Sequence, residues 1–287
     1  MISRSLLYGL ISLAIVTVSF AAILIRLAEE APILTIATWR LVIAAFLLAP
    51  VFLKSRKSTT LRRPDVALCL ASGVFLAFHF ISWIASLRYT SVSSSVLLVS
   101  TTPVFVGLGS RFFLKERVPA SLWLAIGLSV VGGLLIGWED GQINLQGLCG
   151  DLMALGGALM ASAYFLIGRR VRQKYPLPIY IFLSYGTAAC VLLLSTLVTQ
   201  TPLTGFSGPT YLYLLFLAVG PQLIGHSTFN WALKYLPVST VAVLILGEPI
   251  GSTLLAYLLL HETVTLLKGV GAIVILLGIY LSLRRKV

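Results

Sequence analysis

Two stretches of this otherwise apolar chain carry side chains suited to holding a solute. His79, Ser82, Trp83 and Ser86 fall at i, i+3, i+4 and i+7, so a helix places them on one face. Gln222, His226, Phe229 and Asn230 form a second stripe further along. Imidazole and amide groups exchange hydrogen bonds and aromatic rings stack, so together they suit a partly apolar, zwitterionic solute. Interhelical hydrogen bonding explains the same pattern equally well. Glu248 is the one acid placed well inside an apolar run. Burying it requires pairing, hydration or protonation, which makes it a candidate to bind an amine or to take up a proton in coupled transport. Tyr164 adds a ring able to stack on a solute. No nucleotide-binding loop or nucleophile–base pair is present, and Cys69, Cys149 and Cys190 lack metal-ligand spacing. No catalytic residue, metal or cofactor is therefore expected, and an ATP-driven mechanism within this chain is disfavoured.

Such side chains need elements that hold them within a membrane. Of the 287 residues, 58% are hydrophobic and 10% charged, against roughly 25% charged in a soluble domain. A soluble core cannot hide that much apolar surface. With roughly 20 residues per span, an all-α integral membrane protein of about ten transmembrane helices is expected. Apolar runs between charged or Pro/Gly punctuation place them near Ser5–Ile25, Ile33–Leu53, Val66–Leu87, Val92–Phe113 and Ala120–Trp138. The other five fall near Leu148–Gly168, Pro178–Val198, Thr210–Leu233, Val238–Leu260 and Val264–Leu283. A short link around Tyr89–Ser91 implies a hairpin. The first run lacks a small-x-small site before Arg26 and reads as a helix rather than a leader.

The net charge of +12 invites a nucleic-acid reading, but its distribution opposes one. With the N-terminus in the cytoplasm, 17 of the 21 Lys and Arg fall on the cytoplasmic side. Arg26, Arg40, Arg88 and Lys268 remain outside or within helices, and outer loops carry Glu29, Glu30, Glu139 and Asp140. Such bias fixes orientation, with both termini cytoplasmic in a multi-pass protein of the inner (cytoplasmic) membrane. Membrane lipids and a small-molecule substrate are the expected partners, and nucleic acid is not.

The chain also repeats. A shift of 146 residues brings Tyr89 onto Tyr235, Ser93 onto Ser239, Pro103 onto Pro249, Glu116 onto Glu262 and Gly132 onto Gly278 without a gap. Each half, 5–138 and 148–283, then holds five helices. An odd number makes the second copy enter from the opposite side, giving two inverted five-helix repeats. Two near-equivalent packings can exchange which side is open, which is alternating access. Pro103 and Pro249 are hinge candidates, since proline kinks a helix and frees a carbonyl.

The matched residues resemble the EamA repeat of the drug/metabolite transporter superfamily. The resemblance rests on Ser93…Pro103…Glu116…Gly132 and Ser239…Pro249…Glu262…Gly278, on Gly271, and on the Trp39–Arg40 pair. Ala125 stands where the first half would carry the glycine matching Gly271, and the second half has Leu183–Ser184 in place of Trp–Arg. It implies a ten-helix bundle carrying small metabolites, often outward. Within it the chain resembles the YddG-type aromatic amino-acid exporters. The expected function is export of aromatic or neutral amino acids. Export of amphiphilic drugs or other metabolites is the alternative, and an intramembrane lipid-modifying enzyme is the reading from a different class. Sugar phosphates fit poorly, since they call for several inward Lys or Arg.

Other residues receive structural expectations. Arg40 is expected to anchor at the outer interface or to pair with Glu29 or Glu30. Glu116 and Glu262 are expected to cap or face the N-terminus of the following helix. Gly132–Gly133, Gly156–Gly157, Gly269 and Gly271 are expected to allow close helix contact, and Gly107 and Gly109 to permit bending.

Overall fold

The computed structural model describes residues 3–89, 92–137, 145–260 and 265–283. Every element among them is helical. The first half comprises α1 (Arg4–Leu27), α2 (Ile33–Lys57), α3 (Arg63–Tyr89), α4 (Val92–Val99), α5 (Thr102–Gly109) and α6 (Ala120–Gly137). The second comprises α7 (Leu145–Arg172), α8 (Leu177–Val198), α9 (Gly208–Leu217), α10 (Ser227–Ala232), α11 (Val238–Ile245), α12 (Gly247–Leu260) and α13 (Leu266–Leu283). Wide-turn π-helical stretches follow α5 (Ser110–Leu114) and join α9 to α10 (Ala218–His226).

Seven helices among the described residues are long and apolar enough to cross a membrane. Three shorter apolar stretches, Thr102–Leu114, Ala120–Gly132 and Gly269–Leu281, overlap the other three expected spans. The surface exposes many large apolar side chains, while polar ones are buried within a largely apolar interior. Phe113 is 77% and Val198 83% exposed, whereas Arg40, Tyr164 and Tyr185 are buried. An exterior of large apolar side chains belongs to a protein solvated by lipid, whose polar side chains must find partners inside the bundle.

Local chemistry explains the interruptions. Continuous helices are expected over Val92–Phe113, Thr210–Leu233 and Val238–Leu260, but all three are interrupted. Pro103 has no N–H to give and crowds the carbonyl four residues back, so the helix stops after Val99 and restarts at Thr102. Side-chain hydroxyls bond the carbonyls at the break, and that of Thr102 replaces the bond Pro103 cannot give to Val99. Ser100 Oγ donates to the Val96 carbonyl, Thr101 Oγ1 to that of Leu98 and Thr102 Oγ1 to that of Val99, each at 2.6 Å. Pro221 lies within the second π-helical stretch, where the extra residue per turn absorbs its missing donor. The first π-helical stretch ends at Lys115, whose φ of 55° is left-handed and turns the chain toward α6.

The breaks obey the repeat. Moving α4 by 146 residues lands it on α11 end for end, from Val92 and Val99 to Val238 and Ile245. Packing follows the same rule. Helix α3 lies along α7, and their counterparts, the α9–α10 stretch and α1, also pack together. Helix α7 contacts α4 and α5 as α1 contacts α11 and α12, while α2 packs on α8 and α6 on α13. The last pair approaches closely at Gly132, where an added Cβ would stand 2.5 Å from the Gly271 carbonyl oxygen. Gly157 lies against the α3 backbone at His79 and Trp83, but Gly156 and Gly269 face open space, so only part of the expected glycine set serves contact. Gly107 lies against Trp123 and Ile126, and Gly109 against Leu166, so both make room for neighbouring side chains where bending was expected.

Each end of the bundle is tied by polar contacts. At the basic end Arg169 Nε donates to Glu116 Oε1 at 2.8 Å and Lys174 Nζ to Asp65 Oδ1 at 2.9 Å. Glu116 therefore forms an ion pair with α7, where capping of α6 was expected. Its repeat counterpart Glu262, the link at Thr90–Ser91, and Glu139 and Asp140 lie outside the described residues. At the other end Glu30 accepts from the Ser207 amide and hydroxyl and from Thr210 Oγ1, at 2.8–2.9 Å. Trp39 Nε1 donates to the Leu203 carbonyl at 2.8 Å, and Arg88 Nη2 to the carbonyls of Glu29 and Ala31.

Candidate functional site

Between the two broken helices lies a cavity of about 60 Å³. That volume holds about four waters, since one water needs roughly 10–15 Å³ on the same measure. Ser100, Thr102 and Pro103 reach it from the first break, and Leu246 and Glu248 from the second. The rest of the polar lining comes from Arg40 on α2, His79 and Trp83 on α3, and His226 at the end of the π-helical stretch. Phe165 and Phe229 supply aromatic walls.

Several expected site residues thus meet. His79, Trp83, His226, Glu248 and Pro103 line one cavity. His79 and Trp83 rings are parallel, with centroids 6.1 Å apart. The Gly157 carbonyl can only accept, so His79 Nδ1, 2.9 Å away, carries the proton and donates to it. Phe80 sits between the imidazoles, 4.9 Å from His79 and 5.6 Å from His226.

Others stand behind the lining. Gln222 is fully buried, and its Oε1 accepts from Arg40 Nε at 2.9 Å. Asn230 Nδ2 donates to the Tyr164 hydroxyl and to the His226 carbonyl. Those two residues brace the helices beside the cavity. Ser82 is only half-buried and does not line the cavity, although it shares the α3 face on the helical wheel. Pro249 is buried behind Glu248 and also stands outside the lining.

Arg40 is the residue whose expected place is overturned. It is 1% exposed and lines the cavity, and Glu30 is engaged by Ser207 and Thr210. Two turns into α2, its side chain turns inward and away from the outer interface. The guanidinium carbon lies 4.2 Å above the centroid of the Phe80 ring, a favourable stack in a desolvated site. The sequence signal was available, since an arginine inside an apolar run defaults to a buried functional role. Its closeness to the helix start obscured that signal.

The charges in this cavity balance at a distance. Arg40 and Glu248 interact electrostatically, yet no ion pair closer than 4.0 Å joins them among the described residues. Three lining residues carry a buried polar atom with no partner among the described residues: Arg40 Nη1, Trp83 Nε1 and His226 Nδ1. Buried polar groups are nearly always satisfied, so such a concentration marks a place where a solute or water completes the bonding.

Comparison with known proteins agrees with this architecture. The EamA-like transporter family matches residues 5–138 and again 148–284. An uncharacterized transporter of Archaeoglobus fulgidus is 28% identical over 222 residues, covering 77% of this chain and 78% of its own. The transporter YdfC of Bacillus subtilis, also uncharacterized, is 28% identical over 228 residues, with 77% and 73% covered. A solved crystal structure superposes with a TM-score of 0.80 over 98% of this chain and 97% of its own, at 19% identity, which shows a shared fold. With both halves matched, the chain belongs to the EamA-like transporter family of multi-pass membrane proteins.

Proposed function

We propose that this transporter exports neutral and aromatic amino acids across the cytoplasmic membrane by alternating access. In this reading the repeats 5–138 and 148–283 are five-helix units of inverted topology, with both termini cytoplasmic. One observation carries it. Matched helix breaks, at Ser100–Thr101 and at Leu246, flank a single cavity lined from both halves. Broken helices offer free backbone groups and bending points at the binding site, and rocking one half against the other opens it to alternate sides. The packing pattern, preserved when the halves are exchanged, supports two near-equivalent states. Phe165, Phe229 and Trp83 provide the aromatic surface for the cargo.

Glu248 is the proposed proton-coupling group, facing Arg40, His79 and His226 across the cavity. The test is flux of Phe, Trp and Thr in proteoliposomes, at several pH values, for the natural protein and E248Q. Saturable flux above empty liposomes is expected, with a pH dependence that E248Q flattens. Absence of flux by protein shown to be folded overturns the cargo. Flux of the natural protein that ignores pH overturns proton coupling. Export of amphiphilic drugs in the absence of amino-acid flux would favour the alternative cargo.

A further inference from the structure

We propose that the cavity binds its cargo as a zwitterion in one fixed orientation, its carboxylate on Arg40 and Trp83 and its ammonium on Glu248. The assignment rests on the transport reading above and adds the poles that select and orient the cargo.

Two buried donors define the first pole. Arg40 Nη1 and Trp83 Nε1 have no acceptor among the described residues, and both residues line the cavity. Neither group can accept a hydrogen bond, so only an oxygen or another acceptor satisfies them. The guanidinium is already oriented for this. Its Nε is held by Gln222 Oε1 and its plane is supported by the Phe80 ring. The remaining edge is a planar fork, whose geometry matches a carboxylate. Phe80 and Gln222 act as positioning residues, because neither lines the cavity itself.

Glu248 is the second pole. It stands in the first turn of α12, beyond the helix break, and shares the cavity with Arg40 without closing onto it. A neutral solute would leave both charges facing each other across the gap. An anion would satisfy Arg40 and meet repulsion from Glu248, and a cation would do the reverse. A zwitterion satisfies both at once. His79 is committed through Nδ1 to the Gly157 carbonyl, which removes that nitrogen from competition. The present volume holds about four waters, so cargo binding must enlarge the cavity. Cargo entry and cavity opening are thereby linked.

The experiment measures thermal stabilisation of the detergent-purified, full-length protein by L-phenylalanine, 3-phenylpropionate and phenethylamine. Phenylalanine should half-saturate at a concentration lower by about tenfold or more than either half-molecule, the usual scale of one lost charge contact. In E248Q, phenylpropionate should approach phenylalanine while phenethylamine stays weak. In R40Q the pattern should reverse. R40K, which keeps the charge and loses the fork, should weaken phenylalanine while preserving discrimination against phenethylamine. If R40Q does not fold, the E248Q arm decides the matter.

Equal binding of all three ligands by the natural protein would overturn the assignment. So would an equal loss for all three in E248Q, or a cooperative melt that no neutral amino acid shifts. If phenylalanine fails while another neutral amino acid shows the two-pole dependence, the aromatic cargo falls and the poles stand. The transport reading fails separately, by absence of flux for every solute that stabilises the protein.

Discussion

The guanidinium carbon of Arg40 lies 4.2 Å above the centroid of the Phe80 ring, joining a side chain of α2 to one of α3 at the cavity wall. In this desolvated setting a cation–ring contact contributes up to about 2 kcal/mol. F80L keeps an apolar side chain but removes the ring. It should lower stability by about 2 kcal/mol and raise the half-saturation for cargo, with binding weakened by about tenfold. Chemical or thermal denaturation in detergent, with a ligand titration, checks both effects.

Helices α6 and α13 approach at Gly132, and this contact should not tolerate a side chain. A Cβ there meets the Gly271 carbonyl oxygen at 2.5 Å and the Ile275 amide nitrogen at 2.8 Å. Both are backbone atoms, so relief requires helix displacement. G132A should destabilise by about 1–3 kcal/mol, the scale of overpacking. Gly127 lies on the same helix with nothing within 4 Å of its would-be Cβ. G127A should be neutral or slightly stabilising, since alanine favours the helix by roughly 1 kcal/mol. Paired melting curves of the two variants separate the explanations.

The Arg169–Glu116 pair is partly solvated, with side chains 19% and 27% exposed. E116Q should therefore cost no more than about 1 kcal/mol. R169A should cost more, because Arg169 Nη1 also donates to the Leu233 carbonyl at 2.6 Å. Gln173 Nε2 shares that carbonyl at 3.0 Å, which limits the added loss to about 1 kcal/mol. A double-mutant cycle read by melting temperature gives the coupling directly.

Glu30 ties the 200–207 segment to the start of α2. Hydrogen bonds from the Ser207 amide, the Ser207 hydroxyl and the Thr210 hydroxyl favour its charged form and hold its pKa below the ordinary value of 4.5. A depressed folded-state pKa contributes stability that is fully present above the ordinary value. That contribution is lost as pH falls through the depressed one. Natural protein and E30Q should therefore differ most at neutral pH and converge in acid. Melting temperature against pH checks this, and so does proteolysis within 200–207. A difference that widens in acid would contradict the sign.

Some of this was legible beforehand. The α3 stripe needed only the helical period, and His79 and Trp83 do reach the cavity. Glu248 announced itself as an acid in an apolar run. The second stripe was harder. Pro221 and the wide turn over Ala218–His226 change the angular step, so spacing on an ideal helix misjudges which side chains converge. Trp231 illustrates this. It lies five residues beyond His226, where Trp83 lies four beyond His79, and it packs against Tyr235 outside the lining, while Phe229 enters. Arg40 was misplaced because distance along a helix says nothing about the direction a side chain turns.

What the sequence determined by itself was solvent and repetition. Apolar runs of membrane length required lipid, because no aqueous fold can bury them, and the shared Tyr, Ser, Pro and Glu spacing required two related halves. Where the helices break was legible only in part: Pro103 and Pro249 stood out as hinge candidates, yet continuous helices were expected there, and Pro50 lies inside the unbroken α2. The tertiary structure alone decided which charges face each other. Arg40 and Glu248 are 208 positions apart in the chain, and no local pattern couples them. Only the packing of α1 on α12 and of α2 on the π-helical stretch closes the bundle around both. That closure brings a buried arginine and a half-buried glutamate to the lining of one cavity.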